Sequence, residues 1–65
     1  MDDAGSFRSL LRRMAGGTHR RFNVNGHRVY VACSSTGDRY VLIDGATRVG
    51  VDEPDFTERV TACLK

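Results

Sequence analysis

Phe22-Asn23-Val24-Asn25-Gly26-His27-Arg28-Val29-Tyr30-Val31 decides how this chain folds. Asn25-Gly26 stands between two runs in which apolar and polar residues alternate, and Asn-Gly in that setting specifies a β-hairpin. The reason is steric: a type I′ turn holds both central residues at positive φ, which Gly reaches freely and Asn reaches more cheaply than most residues. A two-residue loop pairs Val24 with His27, Asn23 with Arg28, Phe22 with Val29, and Arg21 with Tyr30. Phe22, Val24, Val29, Val31 and Cys33 then share one face, while Arg21, Asn23, Arg28, Tyr30 and Ala32 share the other. Such segregation belongs to an antiparallel sheet with one buried side.

Downstream, Ser35-Thr36-Gly37-Asp38 is a turn cluster leading into a third strand, Arg39 to Asp44. An even-length loop pairs Cys33 with Tyr40 and Val31 with Leu42, which predicts Tyr40 and Leu42 in the core. Thr47 to Val51 reads as a fourth strand; a type II′ turn centred on Gly45-Ala46 sets Val49 opposite Leu42 and Val51 opposite Tyr40. Upstream, residues 1–5 read as a frayed polar end and Ser6 as a helix cap. Phe7, Leu10, Leu11 and Met14 follow at helical spacing, and Gly16-Gly17 terminates the helix. At the other end, Asp55 and Glu58 have the spacing of a capping box just after Pro54, and Phe56, Val60, Cys63 and Leu64 line one side of a last helix. The predicted fold is one small α+β domain over residues 1–65. It is an antiparallel four-stranded meander with an N-terminal and a C-terminal helix packed on one face, in the order α-β-β-β-β-α.

Composition narrows the function classes. With 40% hydrophobic and 28% charged residues, the 65-residue chain is globular and too short for a second domain. Its net charge of +2 is mild, but nine of its ten basic residues are Arg. Arg suits planar, bidentate contact with phosphate or carboxylate; a GC-rich genome would produce the same scarcity of Lys and Ile. No apolar stretch reaches membrane-spanning length and no signal peptide precedes the fold, so no membrane partner is expected and a cytoplasmic location is. Cys33 and Cys63 lack CxxC spacing and read as free thiols. His19, His27, Cys33 and Cys63 match no metal-ligand spacing, and His27 lies about 20 Å from Cys33 along a strand. Ser34 to Asp38 lacks the context of a phosphate loop, and no base accompanies its hydroxyls. The chain therefore reads as a non-catalytic module with no cofactor, metal or small-molecule substrate.

With both helices on the core side, the expected open face carries Arg21, Arg28, Arg39 and Arg48, one from each strand. Tyr30, Val41 and Ile43 lie among them, with Asn23 near the hairpin end. The eight acids fall at the N-terminus, in turns and around the start of the last helix. Arginines for phosphate and an aromatic for base stacking point to DNA or RNA as partner. The same face read differently, with Tyr30, Val41 and Ile43 as an apolar centre inside a charged rim, would dock a protein partner or a second copy, as a regulatory or inhibitory module does. Arg12, Arg13, His19 and Arg20 form a second basic cluster at the helix-to-strand junction. Helix–sheet–helix order resembles the double-stranded-RNA-binding domain in architecture. That family's last helix opens on lysines, whereas this one opens on Asp55 and Glu58, and no motif assigns the chain to it.

Overall fold

The computed structural model describes residues 3–65. In chain order the elements are α1 (Asp3–Arg13), β1 (Thr18–Val24), β2 (His27–Cys33), β3 (Arg39–Ile43), β4 (Thr47–Gly50) and α2 (Phe56–Cys63). The strands form one open antiparallel sheet in the order β1-β2-β3-β4, with both helices against one side. This is the predicted α-β-β-β-β-α architecture.

The first hairpin has the expected register, from Val24 opposite His27 to Arg21 opposite Tyr30 and on to Thr18 opposite Cys33. Asn25 at φ 52° and Gly26 at φ 81° make the turn left-handed at both central positions.

The next two connections each differ from expectation by one residue. Cys33 pairs with Arg39 and Val31 with Val41, so the β2–β3 loop has an odd length. Gly37, at φ 94°, donates its N–H to the Ser34 carbonyl (3.0 Å), and the Ser34 N–H bonds to the Asp38 carbonyl (2.8 Å). That is a three-residue hairpin loop, a tight turn followed by a left-handed Gly. Between β3 and β4, Asp44 (φ 55°) and Gly45 (φ 71°) are the central pair, and the Ala46 N–H bonds to the Ile43 carbonyl (3.1 Å). The turn is therefore type I′ on Asp44-Gly45, not type II′ on Gly45-Ala46. Because side chains alternate with period two, the first slip inverts β3 and the second restores β4. Val41 and Ile43 point into the core and Tyr40 and Leu42 away from it, the reverse of the expectation. Val49 and Val51 are buried as expected.

The helices differ from expectation at their starts. α1 begins at Asp3 instead of after a Ser6 cap, because Ala4, 1% exposed, extends the inward stripe of Phe7, Leu11 and Met14 by one turn. Asp3, Ala4 and Gly5 are thus helical and not frayed; Met1 and Asp2, the rest of the predicted frayed end, lie outside the described residues. Asp55 occupies the N-cap position of α2 but makes no side-chain capping bond, so the predicted capping box does not form. Glu53 organises this junction instead. Its carboxylate accepts the Gly50 N–H (2.6 Å) and pairs with Arg59, and its carbonyl accepts the Phe56 N–H (3.1 Å).

Helix cover is uneven across the sheet. α1 packs on β2 and β3, and α2 packs on α1 and β4. Leu11, Val31, Val41, Val49 and Val60 are fully buried in the resulting core. β1 projects past this layer, and six of its seven residues are exposed. Its inward-facing Phe22 stays 39% exposed, its ring tilted against that of Phe7 with centroids 5.5 Å apart.

Candidate nucleic-acid interface

The register arranges the helix-free side of the sheet in cross-strand rows. The central row is Arg21, Tyr30, Leu42, Arg48. One neighbouring row is His19, Ala32, Tyr40, Gly50; the other is Asn23 and Arg28, ending at the Asp44 turn. No strand position on this side holds a carboxylate.

Most of the predicted site residues are on this face. Arg21, Arg28, Tyr30, Arg48 and Asn23 share it, with Arg21, Arg28, Arg48 and Asn23 exposed and Tyr30 half-buried. Three do not. Arg39 faces the helices, where its Nε donates to the Leu11 carbonyl (2.8 Å) and its Nη2 to the Met14 carbonyl (3.3 Å). It ties down the end of α1 and is not a surface contact. Val41 (0% exposed) and Ile43 (2%) are core residues, so the docking surface predicted around them loses two of its three members. The same inversion brings Tyr40 and Leu42 onto the face, against expectation, because Tyr40-Val41-Leu42-Ile43 is apolar on either alternation. The Asp44-Gly45 dipeptide carried the needed signal, since Asp-Gly favours the same turn as Asn-Gly.

The second basic cluster divides. His19 lies on the open face, stacked on Tyr30 with ring centroids 5.4 Å apart. Arg20 points to the helix side of β1, where it and Arg13 flank a cleft floored by Leu10 and Met14. Arg12 is exposed on α1.

The face itself has two parts. Around Ala32 the side chains close into a plate: Ala32 is only 5% exposed although no helix covers it, because its row neighbours His19 and Tyr40, with Tyr30, surround its small side chain. The Arg48 guanidinium sits over the Tyr40 ring at 4.2 Å from the centroid, a cation–π contact. Beside the plate lies a concavity of about 440 Å³, lined among others by Arg21, Arg28, Tyr30, Leu42, Asp44 and Gly45.

Acids border the two parts differently. Asp38, Asp52 and Glu53 surround a shallow hollow with Tyr40 and Arg48 at the β4 edge. Among the described residues the only carboxylate lining the concavity is Asp44, and it is engaged. Asp44 Oδ2 accepts from His27 Nδ1 (2.7 Å) and Oδ1 from the Arg28 N–H (3.0 Å). The bond from His27 is the main reason the Asp44 carboxyl is held below its ordinary value, helped by the Arg28 N–H. Reciprocally, the bond to Asp44 raises His27 above its ordinary value, against some desolvation. Among the described residues no carboxylate lies within salt-bridge distance of the side chains of Arg21, Arg28 or Arg48. No group of three metal-ligating side chains occurs among the described residues, and none of their helices is long and apolar enough to cross a membrane.

Comparison with known proteins returns no match, whether with family models, with curated proteins or with solved structures.

Proposed function

We propose that this chain is a non-catalytic nucleic-acid-binding module that grips its polyanion with the open sheet face. The observation that carries the reading is the central row: two arginines flank a tyrosine and a leucine on a face without strand carboxylates. Arg21, Arg28 and Arg48 supply charge for phosphates, and Tyr30 and Tyr40 supply rings. Arg39 is withdrawn from that set, and Asn23 serves as a polar contact at its margin. A cytoplasmic site of action goes with this reading, as Cys33 and Cys63 are both free thiols.

Neutralising three phosphates of a single strand gives a salt slope of about −2, so raising salt fourfold weakens binding roughly 20-fold. The test is a salt titration of binding to generic single- and double-stranded oligonucleotides, repeated with Arg21→Glu/Arg48→Glu. Salt-sensitive binding that this variant loses while remaining folded is the expected result. A variant that binds as the parent does would sink the reading. The protein-interaction alternative now rests on Leu42 and the two tyrosines; a dimer weakened by Leu42→Arg, with no nucleic-acid binding, would put it in first place.

A further inference from the structure

We propose that the concavity bounded by Arg21 and Arg28 is a base-recognition site for a single strand, holding one unpaired base against Tyr30 and Leu42 with its phosphate on the two guanidinium groups. The inference rests on the nucleic-acid reading above and specifies the ligand within it.

Four observations favour a single strand at this place. First, the face is four strands wide and backed by helices, whereas a duplex major groove admits a helix or a two-stranded ribbon. A broad open sheet instead suits splayed bases, whose ring faces are free to stack. Second, the hollow of about 440 Å³ lies in the size range of small-ligand sites. Third, its lining suits a nucleotide: Tyr30 and Leu42 offer apolar surface for a base, and Arg21 and Arg28 bring positive charge for its phosphate. Tyr30 stacks on His19 and also lines the hollow, so a base there continues an existing stack by one ring. Fourth, electrostatics select this end of the face. Arg48 at the other end lies over Tyr40 and next to Asp38, Asp52 and Glu53. Asp44, the one acid lining the concavity among the described residues, has its two oxygens bonded to His27 and to the Arg28 N–H.

A phosphate-only grip would need neither Tyr30 nor Leu42. Binding is therefore compared for hexathymidylate, for an abasic strand with the same number of phosphates, and for a blunt duplex, at one salt concentration by fluorescence anisotropy. Wild type is expected to prefer hexathymidylate over the abasic strand by roughly 5- to 150-fold, the worth of one stacked base. Tyr30→Ala should abolish that preference while leaving affinity for the abasic strand unchanged. Leu42→Glu, at a half-buried surface position, provides a second variant with the same expected loss of preference; circular dichroism checks that both are folded. Equal binding of all three probes overturns the base site but leaves the polyanion reading intact. Binding to none of them overturns both.

Discussion

The two helices end at opposite ends of the strands, and each end is met by side chains of different chemistry. At the end of α1 a permanent cation, Arg39, reaches the Leu11 and Met14 carbonyls. At the end of α2 the partners come from the first hairpin: Asn25 Nδ2 donates to the Leu64 carbonyl (2.9 Å), and His27 Nε2 approaches the Lys65 carbonyl (3.4 Å). Helix C-termini leave carbonyls unsatisfied and carry partial negative charge, so both arrangements answer one need. One does so with a charge that no accessible pH removes, the other with a neutral amide and a titratable ring. Only a protonated His27 can donate to Asp44 and to Lys65 at once.

That contrast is open to attack by substitution. The largest effect is expected from Arg39→Ala, which removes two charge-assisted bonds from a half-buried site and should cost roughly 1.5–3 kcal/mol in urea unfolding. Nucleic-acid affinity of the folded fraction should stay unchanged, because Arg39 is absent from the open face. A loss of affinity without a loss of stability would contradict its assignment to the helix end.

Asn25→Gly is milder. It keeps the left-handed turn and deletes one neutral hydrogen bond, with an expected cost of about 1 kcal/mol. Hydrogen exchange should report faster opening at the last turn of α2 and none at the end of α1; equal opening at both ends would deny that each helix has its own tether.

The smallest effect is the pH dependence. A His27 pKa raised by folding contributes stability that is complete below its ordinary value of ~6.5 and is lost as pH rises through the raised value. An Asp44 pKa lowered by folding contributes stability above its ordinary value of about 3.8, lost as pH falls through the lowered one. The His27–Asp44 contact is therefore tightest between these limits. Thermal melts should show a modest fall in Tm above neutral pH for wild type and Arg39→Ala alike, and a flatter profile for His27→Gln. Parallel profiles for all three would remove His27 from the account.

Asn25 and Asp44 also mark how far the sequence could be read. Asn25-Gly26 declared its turn because the strands on both sides alternate between apolar and polar, so one register alone buries the valines. Asp44-Gly45 follows Tyr40-Val41-Leu42-Ile43, where every residue is apolar and a one-residue slip costs nothing in pattern. Tertiary packing made the choice there, placing the β-branched Val41 and Ile43 under the helices. The register differences at the two β3 loops cancel, so Arg48 lies on its expected face although β3 is inverted relative to expectation. Helix partnerships were illegible for another reason: Arg39 and Asn25 bond to carbonyls 28 and 39 residues away, and local pattern carries no information about them.

β1 joins the sheet along a single ladder and meets α1 only at its margin, so with six of its seven residues exposed it has the least packing to lose on detaching. Local opening in such a segment is cheap relative to the core. Yet β1 carries Arg21, which lines the proposed base site, and His19, which stacks on Tyr30. A strand of nucleic acid held between Arg21 on β1 and Arg28 on β2 would bridge the two, and its binding energy would be drawn partly into keeping β1 closed. The site would then be as firm as its ligand makes it, and the strand that recognises would be the one recognition stiffens.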